Sequence, residues 1–170
     1  ALKWIFTLIA ILAGRASVLG WVYIHRQHHA YSDTDKDPHS PNNIGIIRVW
    51  LTLWADNWHI DPSMVKDLLR DKLQMFLHRN YFKVMLSWIL FLGLTSYLLN
   101  SFVPIVVLFA LPSALTIFVS GITNALGHRY GYRTFETDEC STNQHTPRWL
   151  LLNAGLHNNH HAKPDIWWYN

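Results

Sequence analysis

Apolar positions gather into two blocks along the chain, and a third stretch alternates apolar and polar residues at helical spacing. The longest apolar block runs from Tyr81 to about Ile122. Only Lys83 and the Asn100–Ser101 pair break it, and neither Val84–Leu99 nor Phe102–Val119 contains a charge. Roughly 20 helical residues cross the hydrocarbon of a bilayer, and each half reaches that length with its Tyr81–Phe82 or Gly121–Ile122 flank. The pattern predicts a helical hairpin over 81–122 that crosses a membrane twice, with Asn100–Ser101 at the far turn. Pro104 and Pro112 are admissible in such a helix and are expected to kink the second span. Residues 3–20 form the other apolar block, marred by Gly14 and Arg15, and fit either a span or an interfacial segment. The amphipathic stretch covers 61–80. Asp61-Pro62-Ser63 is a helix start, with Asp61 as N-cap and Pro62 in the first turn. Val65, Leu68, Leu69, Leu73 and Phe76 then recur on one face, opposite Lys66, Asp67, Arg70 and Asp71. Such a stripe packs on a membrane surface or against a core.

Composition reinforces the membrane reading. Half of the 170 residues are hydrophobic and only 15% are charged, against about 25% in an ordinary soluble domain. The nine tryptophans and seven tyrosines are the residues that collect at membrane–water boundaries. Lys, Arg and His residues lie on both flanks of the hairpin and not at its turn, so the positive-inside tendency puts both flanks on the cytoplasmic side. A net charge of +3 and the lack of a base-reading motif argue against nucleic acid as a partner. Cys140 is the single cysteine, which leaves no internal disulfide. Arg15 and the want of a small-residue cleavage site argue against a signal peptide. Ala1-Leu2-Lys3-Trp4 at one end and Trp167-Trp168-Tyr169-Asn170 at the other read as the ends of a fragment. The expected fold class is an all-α integral membrane protein, a transmembrane hairpin with a helical histidine-rich domain over 21–41 and 124–165.

Histidine is where the chemistry lies. His25, His28 and His29 make an H-x-x-H-H pattern, and His157, His160 and His161 repeat it. Spacings of three and four bring side chains to one face of a helix, so each triad is expected to converge. His128 follows the second span, four residues after Asn124 on the same helix face. Neutral imidazole suits iron, zinc and copper, and seven such ligands are too many for one ion. His39, His59, His78 and His145 lack partners at ligand spacing. Asp33, Asp35 and Asp37 form an acidic loop able to orient ligand imidazoles through their free N–H groups; Asp138 and Glu139 read as merely exposed. The zinc-hydrolase signature H-E-x-x-H, the Glu-x-x-His of carboxylate-bridged di-iron bundles and Gly-x-Ser-x-Gly do not occur. A polyhistidine di-iron site fits best.

In this order around the two spans, "HRQHH", "SDTDKDPHSP", "NALGH", "YGYR" and "HNNHHA" resemble the membrane-bound fatty acid desaturases, most nearly the Δ9 or stearoyl type, over roughly residues 3–165. The resemblance implies two non-haem irons held by three histidine boxes and one further histidine. It carries the second box to His25, His28 and His29, the third to His157, His160 and His161, and the additional ligand to His128. Asn124 matches the asparagine that reaches iron through water, and Trp21 a family tryptophan expected to contact substrate. The implied activity is insertion of a cis double bond into a saturated acyl chain. Dioxygen is the co-substrate, and two electrons come from a donor such as a ferredoxin or cytochrome b5. The family's first box, H-x-x-x-x-H, is expected upstream of Lys3. Tyr23-Ile24 stand where acyl-CoA members carry Arg-Asp, and Asn153-Ala154-Gly155 where Gly-Glu-Gly is usual. Two alternatives remain open: a related membrane hydroxylase or ketolase, and a non-catalytic membrane metal protein.

Overall fold

An apolar run offers its backbone no side-chain partners, so it satisfies its own N–H and C=O groups as helix. The computed structural model describes residues 2–14, 16–52 and 59–166. Arg15, and with it the interruption expected in the first apolar block, lies outside the described residues, as do both chain ends. In chain order the helices are α1 (Leu2–Leu12), α2 (Val18–Tyr31), α3 (Pro41–Ile44), α4 (Ile46–Thr52), α5 (Lys66–Leu69), α6 (Lys72–Arg79), α7 (Tyr81–Leu98), α8 (Val103–Leu126) and α9 (His157–Ala162). A 3-10 turn spans Pro62–Met64. The described residues contain no strand, only an isolated bridge between Tyr132 and Asn143. The all-α expectation holds.

By its internal contacts the chain divides into two units, one of residues 1–24 and 57–117, the other of 25–56 and 118–170. α7, in the first, and α8, which begins in the first and ends in the second, are both long and apolar enough to cross a membrane. The turn between them falls at Asn100, which takes a positive φ of 46°, as the sequence leads one to expect. Most of the α7 surface is apolar and outward-facing, for example Leu86, Leu90 and Leu94. Pro112 has no N–H to give to the carbonyl one turn back, and the turn before it, Val106–Ala110, widens into π-helix.

Two expectations for this unit need correction. The apolar block at 3–20 is not one segment: α1 stops at Leu12, and Gly14 follows with φ 76°. Eleven residues are too few to span a bilayer alone. The Ala13 carbonyl is taken by the Ser113 hydroxyl at 2.7 Å, and a Cβ on Gly14 would meet that hydroxyl at 2.5 Å. The amphipathic stretch over 61–80 is likewise not one helix. Asp71 starts α6 afresh by accepting from the N–H groups of Leu73 and Gln74, which splits α6 from α5.

The core of this unit has two parts. Ile11, Leu77, Tyr81 and Met85 pack with Trp88 and Phe109, and Leu19, Tyr23, Ile24 and Val65 pack with Met64, Leu68 and Leu69. Polar ties join it as well: Gln74 donates to the Thr7 hydroxyl at 2.9 Å, Lys3 pairs with Asp71 at 2.7 Å, and Ser17 and His78 share a 2.6 Å hydrogen bond. His78, which lacks partners at ligand spacing, is thus engaged by Ser17.

In the second unit, α4 lies against the end of α8, where Val49 and Ala125 are fully buried. Gly121 makes this possible, since a Cβ there would collide with the Trp50 indole. The last stretch of α8, Gly121–Leu126, is again π-helical. It delivers the chain directly to His128.

Candidate metal centre

Seven imidazoles meet in the second unit. His25, His28 and His29 sit on the last two turns of α2, His157, His160 and His161 on α9, and His128 follows α8. They form two groups, each with its ligating atoms within 4.8 Å of one another: His28, His128, His157 and His161 in one, His25, His29 and His160 in the other. The triads therefore meet, but neither converges as a unit. Along a helix, i+4 lies about 40° to one side of i and i+3 about 60° to the other. Each box thus gives its i, i+4 pair to one group and its remaining ring to the other: His25 with His29 against His28, and His157 with His161 against His160.

Within the groups the Nε2 atoms face inward. His28 and His128 approach at 3.1 Å, His128 and His157 at 2.9 Å, His29 and His160 at 3.0 Å, and His160 and His25 at 3.3 Å. Two neighbouring nitrogens bound to one metal at roughly 2.1 Å lie about 3 Å apart when they meet near a right angle.

The outward nitrogens explain the orientation. His28 Nδ1 is 3.0 Å from both Asp37 oxygens, and His128 Nδ1 is 2.8 Å from Asp33 Oδ2. Burial alone would raise the Asp33 carboxyl. Hydrogen bonds from His128, Ser40 and the Cys140 backbone outweigh it and hold the group well below the usual carboxylate range. Asp37 is lowered in the same way, burial being outweighed by His28 and the N–H groups of Asp33 and His39. Ionised carboxylates only accept, so Nδ1 of both rings donates, and each ring in its neutral form turns a bare Nε2 lone pair inward. Lone pairs facing at 3.1 Å call for a cation between them. His161 Nε2 makes the same demand, being buried without a hydrogen-bond partner. The donor set fits a metal.

Burial also favours the neutral form of four of the rings, His29, His157, His160 and His161. It is the main cause that pushes His29 down to about 3, followed by repulsion from His160, His28 and His128. His157 and His161 are driven well below their ordinary value by burial and then by their imidazole neighbours, and His160 by burial and then His28. Neutral imidazole is the metal-binding form. Asp33, His128 and Glu139 also cluster within 4.8 Å; there the His128 atom is the Nδ1 already given to Asp33, so this is the outer face of that ring.

Asparagines set the frame around α9, which is too short to persist alone. Asn158 is fully buried. Its Oδ1 accepts from the Thr134 and Phe135 N–H groups at 2.9 and 2.8 Å, and its Nδ2 donates to the Phe135 carbonyl and the Ser141 hydroxyl, both at 3.2 Å. Asn143, equally buried, donates to Asn159 Oδ1 at 2.8 Å. The asparagines of "HNNHH" thus pin the 134–143 loop to the histidine helix. A Cβ on Gly127 would strike the Thr123 carbonyl and reach His157 Cδ2 at 2.9 Å, so only glycine lets the ring this close.

The remaining expectations sort clearly. Asn124 is half-buried, and its amide nitrogen donates to the Ser120 carbonyl and the Thr123 hydroxyl. Trp21 is half-buried one turn before His25 on α2. His39 is buried with its N–H on Asp37, whereas His59, His145, Asp35 and Asp138 are exposed. Glu139, expected to be merely exposed, is only 14% so and lies beside two of the ligand-type rings. The asparagine frame, Gly127 and Glu139 all escaped the sequence reading.

Residues 1–170 match the fatty acid desaturase family. Similar curated proteins include the sn-1 stearoyl-lipid 9-desaturase of Anabaena variabilis, 32% identical over 95% of this chain and 58% of that protein. The protein of the same name from Synechocystis sp. is 34% identical over 95% and 50%. The acyl-CoA C20 Delta5-desaturase of Anemone leveillei is 32% identical over 95% and 52%. The chain spans about half the length of such relatives.

Proposed function

The chain belongs to the fatty acid desaturase family, and on that premise we propose that the whole protein inserts a cis double bond at the Δ9 position of a saturated acyl chain. The observation that carries this reading is the inward convergence of seven imidazoles in two groups. His28, His128, His157 and His161 hold one iron and His25, His29 and His160 take part in holding a second. Two irons so held supply, with dioxygen and two external electrons, an oxidant able to break an unactivated C–H bond. Asp33 and Asp37 fix the tautomers of His128 and His28. Burial disfavours protonation of His29, His157, His160 and His161. The Asn124 amide nitrogen is engaged on its own helix, which leaves its oxygen for a water next to the centre, the role the resemblance gives it. Trp21, one turn before His25, is assigned to the acyl path.

Two stearoyl-lipid 9-desaturases among the relatives support the regiochemistry. The apolar lengths of α7 and α8 support a multi-pass protein, and the cations on the hairpin flanks support a cytoplasmic centre. A ferredoxin or cytochrome b5 is the proposed donor. The test is expression of the full-length protein in a desaturase-deficient host, with lipid profiling and metal analysis. New Δ9 unsaturation, lost on His128→Ala or His161→Ala, is the expected result. A protein carrying two irons and electron donor that leaves acyl chains unchanged refutes it.

A further inference from the structure

A third carboxylate stands behind the four-histidine group. Glu139 Oε2 lies 3.6 Å from His128 Nδ1 and 3.7 Å from His161 Nδ1. The carboxylate is fixed in place: the Ser141 N–H and hydroxyl donate to its two oxygens at 2.5 and 2.6 Å. Ser141 in turn receives the Asn158 amide, so Glu139 is tied to the residue that follows His157 on α9.

The rings of this group differ in how their protons are placed. His28 has Asp37 and His128 has Asp33, each at hydrogen-bond distance. Among the described residues His161 makes no hydrogen bond at either ring nitrogen. Its buried Nε2 is unpartnered, and its Nδ1 faces Glu139. A neutral imidazole carries its proton on either nitrogen, and only the Nδ1–H form leaves Nε2 free to bind a metal. A fixed negative charge beside Nδ1 favours that form, and more so once a bound cation draws electron density from the ring.

We propose that Glu139 is the positioning residue for His161, holding its proton on Nδ1 so that Nε2 is presented to the four-histidine group; His128 Nδ1 is already held by Asp33. This rests on the reading that the group binds metal. It also gives this chain an acidic residue beside the third box, where Asn153-Ala154-Gly155 offers none.

The test uses full-length protein in detergent, stripped with chelator and titrated with Co²⁺ while its ligand-field absorption is followed. Glu139→Gln keeps the shape and both Ser141 contacts, because the hydroxyl can reverse its direction, but it removes the charge. One of the binding steps is expected to weaken 10- to 100-fold, with the other unmoved and the metal-free melting curve unchanged. His161→Ala weakens the same step, and the double variant loses no more than His161→Ala alone, since Glu139 acts through that ring. Additive losses, or E139Q binding Co²⁺ like the wild type, overturn the assignment and leave the proposed function standing. If E139Q does not fold, the cycle is run with Glu139→Asp, which withdraws the charge by one methylene; unchanged affinity or additive losses there overturn it equally. A wild type that takes up no metal, or whose uptake survives H28A and H161A, sinks the functional reading and this inference with it.

Discussion

Replacing Asn158 with alanine should unfasten the 134–143 loop from the histidine helix before it unfolds anything else. The side chain is fully buried and completes three backbone groups, the N–H of Thr134, the N–H of Phe135 and the Phe135 carbonyl, besides the Ser141 hydroxyl. Each such bond contributes about 1 kcal/mol net, and a buried group left unpaired forfeits roughly 1–3 kcal/mol. Residue 134 is exposed and residue 135 half-buried, so water can reach the freed groups and the lower figure applies. Three backbone bonds then amount to about 3 kcal/mol. Since about 1.4 kcal/mol is a factor of ten, local opening becomes roughly a hundredfold more frequent. Hydrogen exchange read by mass spectrometry on peptides covering 130–145 should show that acceleration, while peptides from α7 hold their wild-type rates. Asn158→Asp keeps both acceptor bonds but turns an anion toward the Phe135 carbonyl, and should fall between. If N158A exchanges at wild-type rates over 130–145, the asparagine frame does not hold the loop and the reasoning fails.

Three more outcomes can be measured. Asp37→Asn should weaken metal binding 10- to 100-fold by releasing the His28 tautomer, and equal Co²⁺ affinity would contradict it. Gly127→Ala drives a methyl into the Thr123 carbonyl and the His157 ring; overpacking of this sort destabilises by about 1–3 kcal/mol, read as a lower melting temperature together with diminished metal uptake. In the metal-free protein, stability should fall as pH drops below 6.5. There the unfolded chain takes up protons at His29 that the folded ring refuses until about 3. The lowered carboxyls of Asp33 and Asp37 add their loss only below about pH 4, so a melting temperature flat between pH 7 and 5 would refute the histidine contribution.

What the sequence disclosed was decided locally. A charge-free run long enough to cross a bilayer must satisfy its own backbone as helix, so α7, α8 and the turn at Asn100 were legible, and so was the gathering of seven histidines. The split of each box between two groups was not, because it depends on where the second helix stands as well as on the spacing within the first. The break between α5 and α6 did leave a trace: Asp71-Lys72-Leu73-Gln74 has the spacing of a helix-start box, masked by an apolar stripe that continues across it. Gly14 announced the end of α1. Glu139 left none, since one acid among Glu136, Asp138 and Glu139 is distinguished only by the Ser141 and Asn158 contacts that aim it.

The division of neighbours between groups has a mechanical consequence. His28 and His29 are joined by one peptide bond, as are His160 and His161, yet each pair serves opposite pockets. Widening the gap between the two pockets therefore pulls on both helices at once. The spacing of the two pockets is set by covalent geometry at two places, and a single inserted residue inside either box would dismantle both pockets together.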